Sequence, residues 1–176
     1  MNQFLAFTLS LLSVFFFTNC ITTETGSKRK WDRSNLFASS KSKGKVMPVR
    51  TTAYTHTEAD HIAYSNKNAL GTTLKYYSRV RSAAADWSKY PVGTRFRIVG
   101  KPEIYEIDDY GSALVGKNTI DLYKPSRSKM NDWGTRNVEI EVIKWGSYRR
   151  SIDILKNRTR YGHVRSMVKE LKKKVS

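Results

Sequence analysis

Residues 106–123 of this chain read EIDDYGSALVGKNTIDLY. The stretch places Asp108, Asp109 and Asp121 among apolar residues and glycines, where a charged carboxylate is unfavourable. A carboxylate in such a strand-like setting must be paired, hydrogen-bonded or partly protonated, because burial disfavours its charged form. These are the surroundings that an acid catalyst needs. We interpret Asp108 as a cap on backbone amides of a turn, and Asp109 and Asp121 together as part of a site.

The same stretch has the pattern of a strand preceded by a glycine-containing turn. Asp121 lies inside Ile-Asp-Leu-Tyr at residues 120–123, a run of β-prone residues. Asp109 is followed by Tyr-Gly-Ser, and we expect this turn to need the conformational freedom of Gly111. The sequence therefore predicts one aspartate within a strand and the other at the start of a turn.

Short strand-like runs recur along the middle of the chain. They lie at residues 46–54, 77–85, 94–99, 104–107 and 138–143. The last run, VEIEVI, alternates most cleanly, with Glu139 and Glu141 on one face and β-branched residues on the other. Glycines and prolines mark turns between the runs. Many short strands at this spacing predict a small β-barrel or a sandwich.

Length and charge limit the possible functions. With 176 residues, the chain has room for one domain with a modest core, and its 39% hydrophobic and 12% aromatic residues are typical of a globular protein. The net charge of +17 comes mostly from residues 21–45 and 146–176. We therefore expect these two arms, more than the folded middle, to meet polyanionic partners.

The N-terminal residues have the pattern of a secretion signal. Residues 4–18 are almost entirely apolar but too few to span a bilayer comfortably. Cys20, the single cysteine, stands where the apolar run ends and resembles the acylated cysteine of bacterial lipoproteins. An unused cysteine and ordinary signal cleavage nearby are the alternatives, and a single cysteine excludes an intramolecular disulfide. We predict a lipoprotein-like signal peptide at 1–20 and a flexible basic linker at 21–45.

The last part of the chain, residues 147–176, is predicted to be a basic helical tail. Its apolar residues follow helical spacing and form one face: Val164, Met167, Val168 and Leu171. We prefer docking of this face onto the barrel. Binding of the tail to anionic lipid or to a cell-wall polymer is the alternative.

Several motifs in a fixed order resemble the 3D domain, which is named for three aspartates. They are Thr52-Ala53-Tyr54, Ala84-Ala85-Asp86-Trp87, Tyr90-Pro91-Val92-Gly93-Thr94, the segment 109–116 and Ile120-Asp121-Leu122-Tyr123. The 3D domain is related to the C-terminal part of MltA-type lytic transglycosylases and to RlpA-like double-psi β-barrels. The resemblance covers roughly residues 48–145. It implies a mainly β fold, a small six-stranded double-psi β-barrel at 46–146, followed by the basic helical appendage at 147–176.

The resemblance also implies a site. Its three aspartates are Asp86, Asp109 and Asp121, and Asp121 corresponds to the acid of the transglycosylases. In that family the 6-hydroxyl of the muramic acid attacks and yields a 1,6-anhydro sugar, so that one aspartate serves as acid and then as base. Asp109 and Asp86 would supply negative charge or orientation to this acid. The expected substrate contacts are Tyr54, Gly111, Lys117 and Tyr123.

The function implied is cleavage of glycosidic bonds in peptidoglycan by an exported cell-envelope protein. The alternative is a structural lipoprotein that binds glycan strands without cutting them. The expected partners are peptidoglycan strands and a membrane that the protein reaches through a lipid anchor on Cys20. The expected location is the outer membrane, with the domain facing the periplasm. Nucleic acid is not an expected partner. No cofactor and no metal are expected. His56 and His61 lack an aligned third ligand, and we interpret them as surface or loop residues.

Overall fold

The computed structural model describes residues 44–59, 63 and 65–176. Six strands and three helices follow one another along this part of the chain. The strands are β1 (Lys45–Tyr54), β2 (Val80–Ala85), β3 (Arg95–Ile98), β4 (Ile104–Asp109), β5 (Thr119–Tyr123) and β6 (Arg136–Lys144). The helices are α1 (Arg127–Trp133), α2 (Tyr148–Leu155) and α3 (Gly162–Lys173), and short 3₁₀ turns lie at Ser112–Leu114 and Lys156–Arg158.

The six strands close into a barrel in the order β1-β5-β2-β4-β3-β6. β1 pairs with β5, and β2 pairs with β4, in parallel, while the remaining neighbours are antiparallel. Closure leaves no open sheet edge, which protects so small a sheet from pairing with other chains. The predicted small six-stranded β-barrel with a C-terminal helical part is confirmed, and its double-psi type stays an expectation from the resemblance.

Alternation along the strands separates the barrel interior from its outer face. In β5, Ile120 and Leu122 are fully buried among the core residues, so Asp121 and Tyr123 point to the other side of the sheet. In β6, Ile140 and Val142 are buried in the core as the alternation predicts, and Glu141 between them is also buried and forms an ion pair with Arg97. The strands thus present apolar side chains inwards and the candidate site residues outwards.

Side-chain caps begin two of the helices. Ser126 accepts a hydrogen bond from the backbone N–H of Lys129 at the start of α1, and Ser147 accepts one from Arg150 at the start of α2. α1 ends at Gly134, whose φ of +58° lies in the left-handed region.

The C-terminal tail packs on the barrel. Its predicted apolar face is confirmed, since all four of its residues are buried in the same apolar cluster as the barrel residues Trp87 and Tyr90. These four are Val164, Met167, Val168 and Leu171. Polar contacts reinforce this packing, because the backbone N–H of Val92 donates to Ser151 Oγ and the carbonyl of Val92 accepts from the N–H of Ser147. The tail is therefore part of the folded unit that carries the site.

No helix among the described residues is long and apolar enough to cross a membrane. The signal peptide, Cys20, and all of the linker up to residue 43 lie outside the described residues.

Candidate functional site

Two of the predicted aspartates lie on one row across the outer face of the barrel. Strand pairing sets Thr52 opposite Asp121, Asp121 opposite Ala84, and Ala84 opposite Asp109. Side chains at paired positions point to the same side of a sheet. Asp121 and Asp109 therefore share a face and are separated by a strand whose residue at this level, Ala84, has only a methyl side chain.

A β-bulge brings Asp108 to the same region as Asp109. β2 pairs Ala83 with Ile107 and then Ala84 with Asp109, so Asp108 is the extra residue of β4. Regular alternation would send two adjacent side chains to opposite faces. Here both carboxylates reach the segment 66–74, Asp108 through the side chain of Asn68 and Asp109 through the backbone of Ala69.

Asp109 is buried, with 7% of its surface exposed, and is held by three donors. The backbone N–H groups of Ala69 and Tyr110 donate to Oδ1 at 3.1 and 2.9 Å, and the hydroxyl of Tyr54 donates to Oδ2 at 3.2 Å. Burial raises the pKa of Asp109 to about 7, with the charge of Asp108 adding to the rise and the three hydrogen bonds limiting it. This carboxyl can therefore exchange a proton near neutral pH.

Asp108 is fully buried and makes contacts with side chains only. Its Oδ2 accepts hydrogen bonds from Ser82 Oγ at 2.7 Å and Asn68 Nδ2 at 2.9 Å, and Lys75 Nζ lies 3.6 Å away. Its Oδ1 has no hydrogen-bond partner among the described residues. Burial raises the pKa of Asp108. The interpretation of Asp108 as a cap on backbone amides is wrong, because the backbone N–H groups donate to Asp109 and only side chains contact Asp108.

Asp121 is half-buried and stands closer to solvent than Asp109. The hydroxyl of Thr52 donates to its Oδ1 at 2.8 Å, which fixes the orientation of the carboxyl group. The hydroxyl of Tyr54 donates to Asp109, and burial together with the charges of Asp109, Asp108 and Asp121 raises the pKa of Tyr54 well above its ordinary value. The phenol keeps its proton and remains a donor to Asp109.

Tyr123 and His56 extend the same face. Tyr123 pairs with Tyr54 across β1 and β5, and the two ring centroids are 5.6 Å apart. The Tyr123 hydroxyl is 2.8 Å from His56 Nδ1, and burial raises the pKa of this hydroxyl. His56 does lie in the loop after β1, as interpreted, but it is half-buried against a predicted site residue. Its place depends on a contact 67 residues away in sequence, which no local pattern indicates.

Asp86 does not join the hydrogen bonds around Asp109 and Asp121. Its Oδ1 accepts from the N–H and the hydroxyl of Ser88 at 2.8 and 2.7 Å, and its Oδ2 accepts from the N–H of Gly116 at 2.7 Å. Asp86 is only 2% exposed. These contacts tie the end of β2 to the loop that leads to β5, which is the role of a structural cap.

Gly111 and Lys117 lie in that loop. Gly111 has a φ of −136° and a ψ of 146°, an extended conformation open to any residue, so the expectation that its turn needs glycine is wrong. The glycine required by conformation is Gly116, with a φ of +80°. Lys117 is exposed, and its side chain makes no hydrogen bond or ion pair within the described part of the chain.

The C-terminal tail supports the two amides that hold Asp109. Arg158 donates through Nη2 to the carbonyl of Ala69 at 2.9 Å and lies 3.5 Å from the hydroxyl of Tyr110 through Nη1. Tyr110 also packs edge-on against Trp87, at 5.1 Å between centroids. Arg158 therefore contacts both of the residues whose N–H groups donate to Asp109 Oδ1, and sequence reasoning missed it.

Among residues 44–59, 63 and 65–176, no group of three or more His, Cys, Asp or Glu side chains is arranged to hold a metal ion.

Comparison with known proteins identifies part of the chain. Residues 81–144 match the family model of the 3D domain, which confirms the resemblance noted in the sequence. The chain is 32% identical over 120 residues to YabE of Bacillus subtilis (strain 168), which is named for cell wall shaping. It is 31% identical over 99 residues to YocH of the same organism, which is named a cell wall-binding protein. These matches cover 68% and 56% of the chain, but only 28% and 33% of the two relatives.

Proposed function

We propose that this 3D-domain protein acts on peptidoglycan in the cell envelope and cleaves the glycosidic bond between its alternating sugars, with Asp121 as general acid and then base. The observation that carries the proposal is the row on the outer face of the barrel, where Asp121 and Asp109 flank Ala84. The names of the two relatives, one for cell wall shaping and one for cell wall binding, support a wall polymer as the ligand.

The reaction requires one proton donor at the departing oxygen. Protonated Asp121 gives its proton to the glycosidic oxygen while the bond from the muramic acid C1 to that oxygen breaks and positive charge develops on the sugar ring. The 6-hydroxyl of the same sugar then forms a bond to C1, and its proton passes to the Asp121 carboxylate. The product is a 1,6-anhydro sugar, no water is consumed, and Asp121 regains the proton that it gave.

The neighbours of Asp121 have complementary roles in this proposal. Thr52 holds one carboxyl oxygen, so that the proton faces a fixed direction. Asp109, once ionised, places a negative charge on the same face and stabilises the positive charge of the sugar ring. The proposed substrate contacts remain Tyr54, Tyr123, Gly111 and Lys117. The two tyrosines lie on the same face of the sheet as the aspartates. Asp86 acts in this scheme through the loop that it caps.

Export and a lipid anchor complete the proposal. A signal peptide at 1–20 and acylation of Cys20 would hold the domain at a membrane next to the wall, with the outer membrane as the location that the resemblance implies.

The test is digestion of purified sacculi with the full chain, followed by mass analysis of the released fragments. We expect 1,6-anhydro fragments from the wild type and none from Asp121→Asn, which keeps the shape of the side chain but cannot donate the proton. Glu139→Gln is the matched control, because it removes an exposed carboxylate on β6 and should leave product formation unchanged. Equal product release by wild type and Asp121→Asn would refute the role of Asp121.

A second function is glycan binding without cleavage, which the name of YocH favours. Under this reading the aspartates and tyrosines of the outer face recognise sugar hydroxyl groups. Absence of anhydro fragments from the wild type, together with retained binding to sacculi that Asp121→Asn weakens, would select this function over the first.

A further inference from the structure

Three positive side chains surround one aromatic ring beside the site. The guanidinium carbon of Arg81 is 4.6 Å from the centroid of Tyr76, Lys124 Nζ is 5.6 Å away, and Lys129 Nζ is 5.9 Å away. Each contact is individually favourable, because the face of an aromatic ring attracts a cation. The three cations nevertheless repel one another.

A second ring extends this group. Lys124 Nζ lies 4.6 Å from the centroid of Trp133, and the guanidinium carbon of Arg136 lies 4.5 Å from it. Arg136 also donates to the backbone carbonyls of Trp133 and Asp132, which fixes its side chain. We call the set of Tyr76, Arg81, Lys124, Lys129, Trp133 and Arg136 the cation cage.

The cage has too little negative charge of its own. Glu103 lies 3.4 Å from Arg81, but within the described residues Lys124, Lys129 and Arg136 make no ion pair. Lys124 is only 5% exposed, and burial together with the charges of Arg81, Arg136 and Lys129 lowers its pKa to about 8, although the charge of Glu103 acts to raise it. A buried ammonium among like charges is unfavourable, and an anion bound between them would relieve that cost.

The position of the cage relates it to the outer-face row. Lys124 directly follows β5, three residues after Asp121, which is about 10 Å along an extended strand. Its backbone N–H donates to the carbonyl of Tyr54 at 2.8 Å, so the cage is fixed to the same end of β1 and β5 as Tyr54 and Tyr123. Tyr76 packs against the apolar cluster of the outer face that includes Tyr54 and Tyr123, so the cage adjoins that face.

We propose that the cation cage is an oxyanion subsite that holds a carboxylate or phosphate group of the wall polymer whose glycan lies over Asp121. The choice of polymer rests on the proposed function, whereas the affinity for an oxyanion rests on the charges and rings of the cage. The carboxylate would come from the stem peptides of peptidoglycan, and the phosphate from polymers attached to it. Both groups accept hydrogen bonds from ammonium and guanidinium groups.

The experiment measures binding of the full chain to sacculi, with all variants in an Asp121→Asn background so that cleavage does not affect the result. Lys124→Met keeps most of the side-chain volume and should weaken binding about tenfold, as expected for the loss of a charged hydrogen-bond donor. Lys129→Gln, at an exposed position, should weaken it a few-fold. Lys101→Gln removes an exposed charge from the β3–β4 turn and is the control that should bind as the parent does.

Two further measurements keep a structural effect apart from a binding effect. Lys124→Arg should restore most of the binding, and Lys124→Met should melt no lower than the parent, because it removes an unpaired buried charge. Sacculi freed of phosphate polymers by hydrofluoric acid, and sacculi freed of stem peptides by an amidase, distinguish the two sources. The difference between Lys124→Met and its parent should vanish in the preparation that lacks the bound group.

A last measurement tests the oxyanion subsite independently of the proposed function. The protein is titrated with inorganic phosphate or acetate, and binding is followed by the NMR shifts of the lysine Nζ groups. Shifts at Lys124 and Lys129 without binding to sacculi would support the oxyanion subsite and refute the wall polymer as ligand. Equal binding of parent and Lys124→Met to every preparation, with no shift at either lysine, would overturn the subsite itself.

Discussion

Replacement of Asp109 by asparagine should change how the stability of this protein depends on pH. Burial raises the pKa of Asp109 from 3.8 to about 7. Between these two values the native state keeps a proton that the unfolded chain has lost, so the free energy of unfolding falls as pH rises. Below the lower value both states are protonated, and above the higher one both are ionised, so the dependence is confined to this window.

The size of the effect follows from the shift. Each pKa unit corresponds to about 1.4 kcal/mol, so the complete window costs the native state about 4 kcal/mol, of which about 3 kcal/mol falls above pH 5. Asparagine has a similar shape, and its carbonyl oxygen can still accept from the N–H groups of Ala69 and Tyr110. Asp109→Asn should therefore gain about 3 kcal/mol relative to the wild type between about pH 5 and about pH 8.

The assay is urea unfolding at a series of pH values, followed by tryptophan fluorescence, since Trp87 is fully buried in the native state. Asp132→Asn, which removes an exposed carboxylate from α1, is the matched control and should follow the wild type at every pH. The reasoning is refuted if the difference between Asp109→Asn and wild type stays within about 1 kcal/mol over this range, because the native carboxyl would then titrate as in the unfolded chain.

The other predictions concern the neighbours of Asp109. Asp121→Asn should lower the rate of anhydro-sugar formation by at least about a hundredfold while changing the free energy of unfolding by less than about 1 kcal/mol, as measured by fragment analysis and urea unfolding. Tyr54→Phe should move the pKa of Asp109 further above its value of about 7, because the Tyr54 hydrogen bond favours the ionised carboxyl; an NMR titration of the carboxyl carbon would show no upward shift if that bond were absent. Arg158→Met should lower the free energy of unfolding by about 1–3 kcal/mol, compared with the exposed control Arg149→Met, because the half-buried carbonyl of Ala69 loses a charged donor. A structural role alone would leave the pKa of Asp109 unchanged in Arg158→Met, whereas a positioning role predicts that it shifts.

Local patterns sufficed for the strands of the barrel. A β-prone run predicted β5, and clean alternation predicted β6. The outward direction of Asp121 comes from the structure, where Ile120 and Leu122 on either side of it are buried in the core. The apolar face of α3 was equally readable, since its spacing is that of a helix. In these elements the neighbours along the chain decide the structure.

The cation cage and the support from Arg158 could not be predicted in this way. The ammonium of Lys124 lies against Tyr76, before β2, and against Trp133, at the end of α1. Arg158 reaches the carbonyl of Ala69, 89 residues earlier, and the two have no shared motif. Such contacts arise from the packing of distant segments, and no periodicity within one segment records them.

The aspartates show why a shared residue type is a weak guide to a shared role. Asp86 is saturated by donors from Ser88 and Gly116, so its charge is already stabilised and has little left to offer a substrate. One oxygen of Asp108 has no donor among the described residues, whereas Asp109 has three donors but little contact with solvent. The two carboxylates lie on the same side only because a bulge breaks the alternation of β4. Deletion of one residue of β4 that regularised this bulge would turn one carboxyl away from the segment 66–74. The proton-exchanging character of Asp109 therefore depends on backbone irregularity as much as on the aspartate itself, and the three-aspartate motif records the residues but not the bulge that separates their environments.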